Sequence, residues 1–525
     1  MSYTLVQAGS GLQSLNGNGA ISTPLTLPAS VTVSPLYTPR FARFKQYLVM
    51  VNSCSRPVSI DQAGTVRLLT PLPPTTPLVL SGVAGGSLTG TYLARQTYIV
   101  LDPAANVIAE SDYGPLITNG GTVIAAKYLK AANINLSPEA VTGARIYRTT
   151  STGAVYFSWI STDSNTVTAV QDDLSDAGLP TVSGPTLGTA PDLTLICEWK
   201  GRLWGVGRTD IDNLRYTEAG TMYAWGALNT LPIAHVGADA YGITALIPRK
   251  NALGVAKKNT LTSVTGTATT NFMPSVIGEQ VGCDSQESVE VFNDTAYWLW
   301  RDGVYQWDSN GVQNITDGAV RTWFTTGTYF NRAMFPRAFG EIEPETLKYR
   351  LYLAAAGTTA LNRWIEYDLQ TKTWWGPHKT DAFTPTSKVT AVGADGHPYA
   401  MVGSLEGYLS MDTQTKSDWG LSPIVCSLRT KSYGNDTQQM EKLWSNLTIF
   451  GKIQPSGTVN VVPTVGELEG ATAQSPMLWD LTLSRHRLPI LGAGKFLTLE
   501  FDTATLNEDF ALLGFDVPYT VIGER

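Results

Sequence analysis

Short runs of alternating apolar and polar residues, separated by turn-forming residues, fill most of this chain. Val289–Phe292, Ala296–Trp300 and Gly303–Trp307 are built from β-branched and aromatic residues. Asn293-Asp294 and Asp302-Gly303 punctuate them, and such pairs favour tight hairpins. The pattern predicts strands almost throughout. Only Leu129–Val141 and Gln438–Leu447 read as brief helices, and Pro138 weakens the first. The expected fold class is all-β.

The strands recur. Tyr367–Trp374 (YDLQTKTW) is echoed by Met411–Trp419 (MDTQTKSDW), and Asp368 lies 44 residues before Asp412. That spacing falls in the 40–50 range of four-stranded propeller blades. Each copy follows the same lead-in: Tyr349–Leu353 matches Pro398–Val402, and Trp364–Asp368 matches Gly407–Asp412. Looser relatives pair Thr295–Trp300 with Gly303–Asp308, Gly201–Val206 with Leu214–Thr217, and Ala252–Ala256 with Leu261–Val264. Near the N-terminus, Gln46–Val51 is followed by Pro57–Asp61. The count predicts a β-propeller of about six blades, because a single sheet cannot cover both its faces and blades cover one another. Trp374 and Trp419 read as wedges between neighbouring blades rather than ligand-stacking residues.

Between the first repeat and the second the texture changes. Leu78–Leu88 leading into Thr89–Leu101, a hairpin closed by Ala109–Asp112, and then Ala144–Thr149, Val155–Trp159 and Thr166–Asp173 suggest about seven strands in all, bounded by Pro-rich stretches at Pro71–Pro77 and Pro180–Pro191. That suits an inserted fibronectin/Ig-like β-sandwich. The expected domains are an N-terminal arm over 1–40, a first blade over 41–75, the sandwich over 76–190, and the remaining blades over 191–431. A C-terminal β platform, or strands that close the ring, follows over 432–525. Gly9–Leu27 reads as an extended arm that orders on a neighbour.

Composition narrows the function. Of 525 residues, Lys+Arg make 37 and Asp+Glu 44, so 15% are charged against about 25% in ordinary globular proteins. A net charge of -7 argues against a protein that grips phosphates, and Gly (49) with Pro (29) suits a turn-rich fold. The opening Met-Ser-Tyr-Thr lacks a signal-peptide pattern, and no apolar stretch approaches bilayer length, so stable membrane insertion is not expected. Cys54, Cys197, Cys283 and Cys426 lie far apart and read as small core residues in a reducing compartment. His235, His378, His397 and His486 show no metal-ligand spacing.

Catalytic devices are not evident. Asp302-Gly303 and Asp317-Gly318 lack the spacing of sialidase-type Asp boxes, and there is no G-x-S-x-G elbow. Gly205-Val-Gly207 lacks the third glycine of a dinucleotide loop. Glu341, Glu343 and Glu345 read as a solvated loop, with an acidic cation site as the lesser option. Asp172, Asp173 and Asp176 read as a surface turn, with calcium binding as the lesser option. Arg485-His-Arg487 reads as the solvent face of a strand before a DNA contact. No catalytic, cofactor or metal residue is nominated, and no enzymatic activity is expected.

Several segments nevertheless carry a family likeness. They are Trp199–Val206 (WKGRLWGV) running on to Leu214–Gly220 and Trp225, Leu253–Gly266 continuing to Gly282–Ser285, Arg301–Trp307 (RDGVYQW), and the ending Phe515–Tyr519 to Gly523–Arg525. The pattern resembles the propeller-type tail nozzle proteins (tail tubular protein B-like) of short-tailed bacteriophages, over roughly residues 40–75 and 190–525. The resemblance implies a structural virion protein of the tail, assembled in the host cytoplasm. It implies a homo-oligomeric ring, typically a hexamer, that contacts an adaptor or upper tail protein and tail fibres or spikes. Double-stranded DNA would pass through the ring during ejection without sequence-specific binding, and mild acidity suits a wall that DNA does not stick to. A tail protein that binds host-surface glycans through the inserted sandwich is the alternative expectation.

Overall fold

A computed structural model describes residues 4–8, 11–15, 24–117, 121–181, 183–184, 187–233, 241–380, 383–392, 396–406, 409–411, 417–418, 422–423, 426–434, 440–467, 471–503 and 510–524. The chain is all-β. Among the described residues, one five-residue α-helix (Arg321–Thr325) and three 3-10 turns are the departures.

The paired segments singled out in the sequence form the second and third strands of six successive antiparallel sheets. The first sheet is Arg40–Phe44, Tyr47–Val51, Val58–Ile60 and Val66–Leu68. The second is Leu193–Trp199, Arg202–Gly207, Asn213–Tyr216 and Thr230–Pro232. Ala245–Pro248, Leu253–Ala256, Thr260–Thr265 and Met273–Glu279 make the third. Glu290–Phe292, Thr295–Trp300, Gly303–Asp308 and Gly311–Asn314 make the fourth. The fifth is Phe339–Glu343, Lys348–Ala354, Leu361–Asp368 and Trp374–Lys379. Pro385–Val392, Pro398–Ser404 and Leu409–Met411 are the described strands of the sixth.

Local chemistry sets the hairpins. Phe292 faces Thr295 across a two-residue loop in which Asn293 (φ 48°) and Asp294 (φ 61°) both take the left-handed conformation, the type I′ geometry whose twist matches the strands. Lys200 (φ 50°) and Gly201 (φ 70°) do the same between Trp199 and Arg202.

Each sheet covers its neighbour. The first strands of successive sheets pack against one another in chain order. Apolar clusters fill the gaps: Phe44, Val49 and Val51 with Leu193 and Leu203, Trp204 and Leu214 with Leu246 and Val255, and Ala245 and Ile247 with Trp298 and Trp307. Tyr297 and Leu299 likewise meet Tyr349 and Ile365. Trp374 is one such wedge, its Nε1 donating to the Ile315 carbonyl at 3.0 Å while its ring lies against Tyr367. Trp419 lies outside the described residues.

The insertion is a seven-strand sandwich. Val79–Tyr92, Thr122–Ala132 and Ala169–Asp172 form one sheet; Ala94–Leu101, Val107–Glu110, Gly143–Arg148 and Phe157–Ser161 form the other. Val100, Ile108 and Ala109 join the cluster between the first and second sheets, which roots the sandwich there. The helix expected over Leu129–Val141 is instead the end of a strand and a loop. Leu129 and Ala131 are buried on alternate positions, and the strand is paired on both sides. Gln438–Leu447 is likewise not helical where described: Met440–Trp444 is a strand. The expected N-terminal arm is also corrected in part. Thr4–Ala8 pairs with Gly11–Leu15, and Leu12 is buried among Val31, Val33, Met50 and Val58 of its own chain.

The chain divides into two compact units, Met1–Met411 and Asp412–Arg525. The second therefore begins before the expected residue 432, because Cys426–Arg429 pairs with Phe496–Thr503. It has its own core, with Trp444, Ile449, Val461, Trp479, Leu499 and Phe501 fully or nearly buried. Its described strands pair only with one another.

Trp374→Ala should destabilise the first unit by about 2–4 kcal/mol through lost burial. Trp374→Phe should cost about 1 kcal/mol, through the lost hydrogen bond. Urea unfolding followed by far-UV circular dichroism gives both values, and equal costs would contradict the wedge assignment.

Candidate functional site at the centre of the first unit

One residue short of the fourth sheet, the chain makes a one-turn 3-10 segment, Gln286–Ser288. Its side chains reach sheets that are not neighbours in the stack. The Gln286 amide accepts from Leu246 N at 2.6 Å and donates to Leu246 O at 3.2 Å, holding the third sheet. Glu287 accepts from Arg40 Nε of the first sheet at 2.9 Å, while Arg40 Nη1 donates to Thr194 O of the second at 2.7 Å. Ser285 Oγ donates to Ala338 O, and Tyr349 Oη of the fifth sheet donates to Ser288 O. From the sixth sheet, Lys388 pairs with Glu290 of the fourth. These contacts tie all six sheets to one short segment and its neighbours, through side chains that are partly or fully buried.

The face of the fifth sheet towards Lys388 continues this network. In register, Glu341 stands opposite Arg350, which stands opposite Glu366, and Glu343 stands opposite Lys348. Arg350 lies 3.3 Å from Glu366 and 3.6 Å from Glu343, and Lys348 lies 3.0 Å from Glu366. Glu341, Glu343, Arg350 and Glu366 are all less than 8% exposed. Glu341 and Glu343 are therefore not a solvated loop; they belong to the strand Phe339–Glu343. Only Glu345 is exposed, 3.7 Å from His397 Nδ1.

Burial sets the electrostatics. Loss of hydration pushes the Glu341 carboxyl up to about 7, although Arg350, a hydrogen bond from Tyr352 Oη at 3.0 Å, and Lys388 all favour its charged form. Its Oε2 takes no hydrogen bond among the described residues. Burial also lowers the His378 imidazole, which stacks 4.1 Å from Trp364. Replacing such an ion ladder by apolar residues is often neutral for stability, so its value lies in fixing one arrangement of strands. Among the described residues no group of His, Cys, Asp or Glu has the geometry of a metal site.

The other residues noted in the sequence are dispersed and locally engaged. Asp172 caps Leu174 N, Asp173 bonds Ser87, and Asp176 pairs with the buried Arg148 at 2.8 Å, which spends all three acids on backbone and ion-pair contacts. Gly205 and Gly207 lie in the buried strand Arg202–Gly207 rather than in a loop, and a Cβ on Gly205 would meet Leu195 O at 2.9 Å. Cys54, Cys197 and Cys283 are buried, and burial pushes the Cys54 and Cys283 thiols up to about 12. Cys426 corrects the expectation for that set, being exposed on a strand. A recess of about 380 Å³ lies between hairpin turns, lined by Arg43, Phe44, Lys45, Glu198, Gly201 and Gly220. Its lysine is occupied, donating to Gly220 O at 2.7 Å.

No family model and no curated protein sequence matches the chain. Solved structures similar to it include Kluyveromyces lactis Hsv2, at 9% identity and a TM-score of 0.26 over 55% of this chain and 69% of that one. BBS1N in complex with ARL6DN is 8% identical, with a TM-score of 0.26 over 78% of this chain and 74% of that one. A fungal alcohol oxidase of the AA5 family in complex with copper is 14% identical, with a TM-score of 0.28 over 85% of this chain and 99% of that one. Likeness at this level carries no argument, so the architecture rests on the sheets themselves.

The Glu341 carboxyl makes stability depend on pH. Its folded value lies above the ordinary carboxyl value of 4.5, so the neutral form favours folding. That contribution is complete below 4.5 and lost as pH rises through about 7. Raising pH from 5 to 8 should therefore destabilise the wild type relative to Glu341→Gln by on the order of 3 kcal/mol. Parallel urea titrations at the two pH values check it, and a difference independent of pH would contradict the burial argument.

Proposed function

We propose that this chain is a structural subunit of a phage tail nozzle. In this reading the six sheets close into a propeller ring within each chain, and copies of the chain form a larger ring, of about six. DNA passes along the axis between the copies. The observation that carries the reading is the set of contacts that tie all six sheets of the first unit to one short segment and its neighbours. In this reading Arg40–Glu287 and Lys388–Glu290 lie near the axis of the propeller, and the working surfaces are on the outside of the chain. The sandwich rooted between the first two sheets, the separate C-terminal unit and the sequence resemblance described above support the same reading.

Each part then has a task that its physical chemistry suits. The propeller is a stiff wall, since ion pairs join sheets that are not adjacent. The sandwich and the C-terminal unit extend the surface available to an adaptor, fibres or spikes. Net charge of -7 leaves the channel without an overall attraction for phosphates, so DNA slides past it.

Negative-stain imaging and native mass of the purified chain, with its neighbouring tail component added, test the proposal. A closed ring of several copies is expected. A chain that stays monomeric with that component present would overturn it, and so would turnover of a glycan by the chain alone.

A further inference from the structure

Large apolar side chains are exposed unevenly. Of the 27 exposed among the described residues, ten belong to the C-terminal unit, which holds 114 of the 525 residues. Several gather on one sheet. Leu447–Gly451 is its central strand, flanked by Arg485–Leu488 on one side and Leu512–Asp516 on the other. The inward residues Leu447, Ile449 and Leu488 are in the core. On the outward face Phe450 is exposed, and Leu513, at a bulge beside Gly514, is 74% exposed. Ile453 and Leu483 extend the patch, since the turns that carry them are joined by Gly451 N→Ser484 O and Gln454 N→Leu481 O.

The charges on this face are ordered. Thr448 stands opposite Arg487 on one side and Asp516 on the other, and Phe450 stands opposite Arg485. Arg485, Arg487 and Asp516 are exposed, and none has an opposite charge within ion-pair distance among the described residues. One flank is thus basic and the other acidic; between them lie the buried Thr448 and the exposed Phe450, with the Arg485 guanidinium 5.7 Å from the Phe450 ring. Strand spacing puts Arg487 and Asp516 about 10 Å apart. A two-fold rotation about an axis parallel to the strands, in the plane above this face, carries each flank over the opposite flank at the same level. Arg487 of one copy then meets Asp516 of the other, Phe450 covers its counterpart, and Leu513 lies over the flank that carries Arg485 and Leu483. Membrane binding suits the face less well, because juxtamembrane sites gather four to eight cations without a facing acid. Apolar centres with arginine at the edge are instead typical of protein interfaces.

We propose that this face is self-complementary and pairs two copies of the free chain about a two-fold axis. An apolar patch of this kind needs a cover in solution, and a second copy supplies both the apolar area and the opposite charges. The pairing does not rest on the nozzle reading, since it concerns the free chain before any tail component is added.

Sedimentation equilibrium of the full chain at micromolar concentration tests it. The wild type is expected to dimerise. Arg487→Asp should weaken the dimer by about tenfold or more, through like-charge juxtaposition. Asp516→Arg should do the same, and the double variant Arg487→Asp/Asp516→Arg should restore association, with far-UV circular dichroism unchanged throughout. A monomeric wild type would overturn the proposal. So would single variants that associate as tightly as wild type, or a double variant that fails to recover while remaining folded.

Discussion

The contact between Arg40 and Glu287 is the constraint on which the first unit turns. Antiparallel sheets of three or four strands have two faces to cover, and apolar clusters between successive sheets meet that need. Those clusters alone would allow an open stack of any curvature. Arg40 belongs to the first sheet and Glu287 to the approach to the fourth, so their pairing joins sheets three apart in chain order. Ser285, Gln286 and Ser288 add bonds to the third and fifth sheets from the same short segment. A turn of three residues thus acts as a hub, and the polar groups it brings inside are satisfied by sheets that the chain reaches far apart in sequence.

The seam beside the fifth sheet follows different physics from the other seams. Between the third and fourth sheets Trp298, Trp307 and Ile247 form an apolar seam, with Arg249 over the Trp307 ring and paired with Asp294 at its edge. Beyond the fifth, Glu341, Arg350 and Glu366 form a ladder, and Phe339, Tyr352 and Val402 provide an apolar strip beside it. Buried ions specify one register strongly, because a one-residue slip would set each charge against the wrong partner. They also leave the seam sensitive to protonation, as the raised Glu341 carboxyl records.

Much of the fold was legible in the sequence because its signals are local. Alternation in Thr295–Trp300 and Gly303–Asp308 marks a central hairpin, and the echo of Tyr349–Leu353 in Pro398–Val402 marks its repetition. Strand boundaries failed where alternation was weak: Lys127–Ala132 carries enough Ala, Leu and Lys to read as helix, and pairing on both sides decides otherwise. The central hub was not legible. Gln286 and Glu287 sit in an ordinary polar turn, and their partners lie 40 and 247 residues away. The buried ladder did leave a trace. Glu341 and Glu343, Lys348 and Arg350, and Arg363 and Glu366 lie on consecutive apolar strands, and the charges of the first two pairs alternate strictly. That period-two signal on two consecutive strands marks a charged inner face better than it marks a loop.

The central claim is that each chain keeps a filled centre and works as a wall between copies. Electron microscopy of the ring assembled with its neighbouring tail component, at a resolution that separates sheets, tests this directly. The account predicts continuous density through the centre of every chain and one open channel on the axis shared by the copies. An open bore through the sheets of a single chain, with no channel between copies, would contradict it.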